Sequence, residues 1–238
     1  MANKGFVFVA LDYDSQLDNI SFATKLAENV HSIDYGFKIN LDSVANFNPD
    51  ALSPFAMVSA INKLYRPIFV DMKMWNGGRT MENIAKGCAD SGVNIINIYP
   101  QAGKKFIEKV KRSLEETNTK LFGLTVLTHY TDKDTQRLYG KSLRDSVRMF
   151  AEMNQEFGVD GIVVPGTQLD VVQNFSYLKL CPGIRPEWYE NKKVNEQEQT
   201  VTPIEAISKG ADYIVVGSPI LKSDKPAEAL EKILVNIS

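Results

Sequence analysis

Ile68-Phe69-Val70-Asp71-Met72-Lys73-Met74-Trp75-Asn76 reads as a buried β-strand that carries two opposite charges on one face. Successive side chains on a strand alternate faces, so Asp71 and Lys73 point the same way. Aspartate and lysine are among the residues least often buried unless paired. Setting both at the end of an apolar strand costs desolvation energy. Two readings fit: a structural ion pair at a strand end, or a reactive pair whose close opposite charges define each other's protonation states.

Runs of the same kind recur along the chain. Phe6–Asp12, Ile33–Ile39, Pro67–Met74, Val93–Tyr99, Leu121–Thr128, Gly161–Val164, Leu178–Gly183 and Tyr213–Gly217 are all strand candidates. The segments between them have helical spacing, with apolar faces such as Leu17-Ile20-Ala23-Thr24-Ala27, Phe106-Val110-Leu114, Val147-Phe150-Ala151 and Ala227-Leu230-Ile233-Leu234. Gly92, Gly158 and Gly210 stand just before strands, where a helix C-cap feeds the next run. Thr202-Pro203 has the form of an N-cap followed by proline at the first helical position, and Asp224-Lys225-Pro226 opens the last helix in a similar way. Eight βα units match an α/β fold of the (β/α)8 TIM-barrel type, as a single domain over residues 1–238. A doubly wound open sheet shares the alternation, but the count of eight and the spacing favour the barrel. The polar stretch 185–200 lacks apolar periodicity and has the length of a functional lid.

Composition narrows the function classes. The 238 residues are 44% hydrophobic and 24% charged, with a formal net charge of -2. That balance argues against a broad nucleic-acid or anionic-membrane surface, and no apolar stretch approaches membrane-spanning length. The two cysteines, Cys88 and Cys181, are not in a CxxC pair, and the only histidines are His31 and His129. Local spacing therefore builds no Cys/His metal site. Both cysteines are read as reduced and buried, and with no secretory leader at Phe6–Leu11 the expected location is cytoplasmic.

In a TIM barrel the active site lies at the C-terminal ends of the strands. The first three candidate strands end in Asp12, Lys38, and Asp71 with Lys73. Acids and bases alternating at one rim would set one another's protonation.

Ala10-Leu-Asp-Tyr13, Phe37-Lys38, Asp71-x-Lys73, Thr125-Val-Leu-Thr128, Pro182-Gly-Ile-Arg-Pro186, Thr202-Pro203 and Gly210-Ala-Asp-Tyr-Ile-Val-Val-Gly217 occur in this order over nearly the whole chain. Their order and spacing resemble the orotidine 5'-phosphate decarboxylase family. The resemblance implies a homodimer with shared active sites and a small-molecule nucleotide substrate, with no metal and no cofactor. It implies that Lys73 protonates C6 of the pyrimidine as carbon dioxide leaves, and that Asp71 lies beside the substrate carboxylate. Lys38 and Asp12 resemble ribose-hydroxyl contacts that also orient this pair. Thr128 resembles a contact to the pyrimidine amide, Arg185 and Gln197 resemble phosphate-side groups, and Gly217 with Ser218 closes the same end. Thr80 resembles the threonine that reaches the neighbouring subunit's site.

The chain also departs from that pattern. Asn76 stands where the family has a second aspartate reaching the partner's site, which keeps the shape but drops the charge. Ser218 stands where the family has a phosphate-gripping arginine; Lys222, four residues on, and Arg79 are the cations offered to compensate. Tyr99-Pro-Gln-Ala-Gly103 replaces a His-Ala-x-Gly-Gly type of turn. Two alternatives therefore stay beside decarboxylation of orotidine 5'-monophosphate to UMP. One is a paralogue acting on another nucleotide or sugar phosphate; the other is a weakly active nucleotide-binding protein. His129 is open between substrate contact and a satisfied polar group, and His31 is read as structural. Trp75 is read as an interface residue, and Asp132-Lys-Asp134 and Lys192-Lys193 as solvated loop charges.

Overall fold

The structure, a computed structural model, describes residues 5–45, 55–189 and 199–238. Eight parallel strands close into a barrel in sequence order, with β8 pairing back onto β1. They are β1 (Phe6–Leu11), β2 (Tyr35–Asn40), β3 (Ile68–Met74), β4 (Ile95–Ile98), β5 (Lys120–Leu124), β6 (Gly161–Val163), β7 (Leu178–Cys181) and β8 (Tyr213–Val216). All eight expected strands are present, with shifted ends: most are trimmed, whereas β2 runs on to Asn40 and β5 starts at Lys120. Ile33 is apolar yet exposed, so β2 begins at Tyr35. β5 stops at Leu124, leaving Thr128 on the loop that follows.

The helices are α1 (Gln16–Asn29), α2 (Leu41–Ala45), α3 (Ala56–Asn62), α4 (Gly78–Asp90), α5 (Lys104–Arg112), α6 (Asp132–Tyr139), α7 (Leu143–Glu156), α8 (Pro203–Ser208), α9 (Ser218–Leu221) and α10 (Pro226–Asn236). Between β6 and β7 the α-helix expected of a regular βα unit is replaced by a 3₁₀ segment, Gly166–Val172. Its buried Gly166, Leu169 and Val172 fall three apart, the period of that tighter coil. The capping reading is borne out at several places. Gly92, Gly158 and Gly210 all have positive φ, and Thr202 forms a reciprocal capping box with Glu205 at the start of α8. Pro226 opens α10, but Asp224 does not cap it; the N-cap is Lys225 and no side chain caps the turn. Asp132 and Asp134 are not loop charges. They form the first turn of α6, where Asp134 shares a capping box with Thr131.

The buried face of α1 differs from the expected stripe. Leu17 is exposed, and Gln16, Asn19, Ala23 and Leu26 face inward. The reason is backbone satisfaction. Asn19 Nδ2 donates to the Tyr13 carbonyl at 2.9 Å, its Oδ1 accepts from Tyr13 N–H at 3.1 Å, and Gln16 Nε2 donates to the Ser43 carbonyl at 2.5 Å. In α5, similarly, Phe106 is partly exposed and Ile107 takes the buried position beside Val110.

Two apolar cores result. The larger lies between the barrel wall and the helices. The smaller fills the barrel and includes Phe8, Phe69, Ile95, Phe122, Leu124 and Leu180. Phe8 meets Phe69 at 5.9 Å and Tyr213 at 5.7 Å, and Phe122 meets Tyr213 at 6.0 Å. These rings plug the lower interior, so the strand ends at the other rim are left as the floor of a cavity. Strand spacing at the plug depends on Gly36, where an added Cβ would lie 2.2 Å from the Pro67 carbonyl oxygen. That oxygen accepts the Phe37 N–H at 2.9 Å, so the backbone cannot give way without losing a ladder bond. Gly36→Ala is expected to destabilise the fold by about 1–3 kcal/mol, as overpacking does. Thermal unfolding should show a midpoint lowered by roughly 3–10 °C; an unchanged midpoint would mean the strands separate freely here.

Candidate active site

The C-terminal ends of the strands open onto a cavity of about 380 Å³. Its floor is apolar, made by Ala10, Phe69, Leu124, Val163, Leu180 and Val215. Its walls carry Asp12, Lys38, Asp71, Lys73, Thr128 and Arg185, together with Gly217, Ser218 and Lys222. Eight of the residues expected from sequence thus meet in one place. Asn76 and Thr80 do not line this cavity; both are exposed beside it, at the turn into α4. Gln197 lies outside the described residues, as do Lys192 and Lys193. Arg79 is exposed and is not among the residues lining the cavity, whereas Lys222 is. His129 is exposed, rests edge-on against Tyr130 at 4.9 Å and is not among the lining residues.

Lys38 rises from β2 with its side chain only 9% exposed. Its Nζ donates to Asp12 Oδ1 at 2.7 Å and to Asn40 Oδ1 at 2.6 Å. Asn40 Nδ2 in turn donates to the same Asp12 oxygen at 2.8 Å. The three groups form a closed ring of hydrogen bonds across the first two strands, which β1–β2 pairing holds in register at Ala10↔Lys38. Gly217 leaves this ring uncrowded: a Cβ there would come within 3.2 Å of Asp12 Oδ2.

Asp71 and Lys73 do pair, at 2.5 Å, but not as a regular strand would present them. Val70 is in register with Ile96 and Met74 with Ile98. Residues 71–73 therefore bulge out opposite the single residue Asn97, and Lys73 takes a left-handed φ of 47°. A non-glycine residue in that region costs about 1–2 kcal/mol. Within the bulge the two charges divide: the Asp71 side chain is 17% exposed and that of Lys73 40%. The expected buried pair is thus a carboxylate at the cavity wall with an ammonium reaching into the opening.

Asn97 and Asn40 were not singled out in the sequence. Asn97 is fully buried, and Asn40 sits at the end of β2. A signal existed for each. Asn97 is the one polar residue of Ile95-Ile96-Asn97-Ile98, and Asn40 follows Lys38 by two, the same-face spacing that linked Asp71 to Lys73.

The phosphate-side candidates are less fully satisfied. Arg185 Nη1 donates to the Ile184 carbonyl at 3.0 Å, while its buried Nε finds no acceptor among the described residues. Burial pulls the Arg185 guanidinium below its ordinary pKa, because desolvation disfavours the charged form. Cys88 and Cys181 are both free and buried, each thiol pushed up to about 12 by desolvation. Trp75 is exposed, with its ring 5.9 Å from that of Tyr99. Among the described residues no helix is long and apolar enough to cross a membrane.

The family model described as "Orotidine 5'-phosphate decarboxylase / HUMPS family" matches residues 5–233. An orotidine 5'-phosphate decarboxylase from a Nitratiruptor species is 30% identical over 234 residues, covering 96% of this chain and 98% of its own. That of the Wolbachia of Brugia malayi is 30% identical over 236 residues, covering 98% of this chain and 99% of its own. The crystal structure of orotidine 5'-phosphate decarboxylase from Lactobacillus acidophilus shares the fold, with a TM-score of 0.78 at 24% identity over 99% of both chains.

Proposed function

The chain belongs to the orotidine 5'-phosphate decarboxylase / HUMPS family, and from that premise we propose that it converts orotidine 5'-monophosphate to UMP and carbon dioxide. The observation that carries this reading is the charged rim, with Asp12, Lys38, Asp71 and Lys73 converging over an apolar floor. Loss of carbon dioxide breaks the bond from C6 to the carboxyl group and leaves an electron pair on C6. Lys73 supplies the stabilising charge and then the proton. Its ammonium reaches into the cavity opening, 40% exposed, and a fixed cation at the reacting carbon acts most strongly once bound substrate displaces the water there. The neutral amine recovers its proton from solvent.

Asp71 stands beside the substrate carboxylate, and the repulsion between them fades as the departing group loses its charge. Lys38 and Asp12 take the ribose hydroxyls. Thr128 contacts the pyrimidine amide. Arg185, whose Nε lacks an acceptor among the described residues, takes the phosphate together with Ser218, Lys222 and the backbone at Gly217. A bound phosphate dianion would restore the stability of the charge that burial disfavours in Arg185. Lys38 resembles the decarboxylases more than the sugar-phosphate branch of the family, where the resemblance implies a glutamate at that position.

The exposure of Trp75, Asn76 and Thr80 beside the cavity supports a homodimer in which these residues approach the partner's site. Sedimentation showing only single chains at micromolar concentration would remove that part of the reading. The two free, buried cysteines fit a reducing, cytoplasmic location.

Turnover of orotidine 5'-monophosphate tests the proposal directly. The weak point of the phosphate grip gives a second check. Ser218→Arg adds a guanidinium at the cavity wall, and a charge-assisted hydrogen bond contributes roughly 1.5–3 kcal/mol. The variant is expected to bind UMP about tenfold more tightly by calorimetric titration. An unchanged affinity would mean that Lys222 and Arg185 already saturate the phosphate.

A further inference from the structure

We infer that Asn97 is the positioning residue of the Asp71–Lys73 pair, a carboxamide clamp that holds the bulged strand and the carboxylate in one reactive geometry. The inference rests on the decarboxylase reading for its catalytic consequence and on geometry alone for the clamp itself.

The bulge in β3 creates a local problem. Three residues, 71–73, stand opposite one residue of β4, so the regular ladder cannot satisfy the backbone there. The Lys73 N–H would be left without a strand partner. Asn97 Oδ1 accepts it at 2.6 Å. From the same side chain, Nδ2 donates to Asp71 Oδ1 at 2.7 Å. Asp71 Oδ2 meets the Lys73 ammonium. Each carboxylate oxygen thus has its own donor, which stops rotation of the group and aims Oδ2 at Lys73. Asn97 is fully buried, so no water replaces either bond. One bond holds the main chain of Lys73 at its left-handed φ, and the other orients the carboxylate that its ammonium meets.

The chemistry of the position is restrictive. The clamp needs an acceptor toward Lys73 N–H and a donor toward Asp71 on one short planar group. Asparagine supplies both in a neutral side chain. A carboxylate supplies the acceptor but sets a second negative charge against Asp71. A protonated carboxyl supplies both, with its carbonyl accepting and its O–H donating. Asn97→Asp should therefore behave as a pH-dependent replacement. Repulsion from Asp71 and burial raise the pKa of the new carboxyl, against the smaller opposing pull of the half-exposed Lys73 ammonium. The groups facing it are Asp71 and Lys73 on β3 and, one residue past the end of β4, Tyr99, whose hydroxyl is pushed up to about 12 chiefly by burial. From β5 its register partner is Phe122, which carries no charge.

Two measurements test this. The first is hydrogen exchange at the Lys73 amide, which needs no substrate. Asn97→Ala should exchange there at least about tenfold faster than the parent while core strands stay protected. Equal exchange would overturn the clamp. The second is the pH profile of kcat for Asn97→Asp on orotidine 5'-monophosphate. We expect activity near the parent's at low pH and a descending limb, absent from the parent, to a loss of roughly 10- to 100-fold as the carboxyl ionises. A profile parallel to the parent's would reduce Asn97 to a packing residue. If Asn97→Asp does not fold, Asn97→Ala carries the kinetic arm. It should lose kcat with KM within a few-fold; unchanged kcat would overturn the role. A parent chain with no turnover would refute the decarboxylase reading, and the exchange result would still decide the clamp.

Discussion

Lys73→Ala is expected to lose turnover by on the order of 10⁴-fold while keeping its affinity for UMP within about tenfold. The loss joins two effects that each reach 10²-fold or more: electrostatic stabilisation of the developing carbanion and delivery of the proton. Alanine is well suited to the test because it keeps a Cβ, so the backbone requirement at the left-handed φ of 47° is unchanged and the variant reports on the ammonium alone. The Lys73 side chain is 40% exposed and its one ion pair among the described residues is with Asp71, so the barrel should unfold within a few degrees of the parent. Single-turnover absorbance would measure the rate and calorimetry the affinity. A variant within tenfold of the parent rate would mean that another group protonates C6.

Asp71→Asn is expected to lower kcat by roughly 10²- to 10⁴-fold, through two charge-assisted hydrogen bonds each contributing about 1.5–3 kcal/mol. The substitution is isosteric but has the wrong donors. Asp71 accepts on one oxygen from Lys73 and on the other from Asn97. A carboxamide must turn an NH₂ toward one of them. Facing Lys73 it meets an ammonium. Facing Asn97 it meets another NH₂, and Asn97 cannot turn over because its oxygen is held by the Lys73 N–H. Either way a donor confronts a donor. Steady-state kinetics should show the loss in kcat more than in KM; a loss confined to KM would make Asp71 a binding residue only.

The barrel was legible because each strand is an apolar run between helical segments, and because eight such units leave few arrangements. The misreadings came where a side chain's polarity and its location part company. Ile33 and Leu17 are apolar and exposed, whereas Gln16 and Asn19 are polar and buried because they satisfy main-chain carbonyls, that of Ser43 in α2 and that of Tyr13. The charged half of the site was legible for a related reason, since acids and bases at the ends of neighbouring strands are costly and therefore conspicuous. Asn97 and Asn40 carry no charge and become meaningful only through distances. The bulge at 71–73 was hidden too. A glycine would have announced it, but Lys73 itself adopts the left-handed conformation, held by a side chain from the next strand.

The most direct measurement is the conversion of orotidine 5'-monophosphate by the purified protein, followed by absorbance and by release of labelled carbon dioxide, with excess chelator present. Stoichiometric formation of UMP and carbon dioxide, unaffected by the chelator and lost in Lys73→Ala, is the expected result. No conversion at micromolar protein over hours, or conversion that requires an added divalent cation, would contradict the role given to Lys73 and the rim around it.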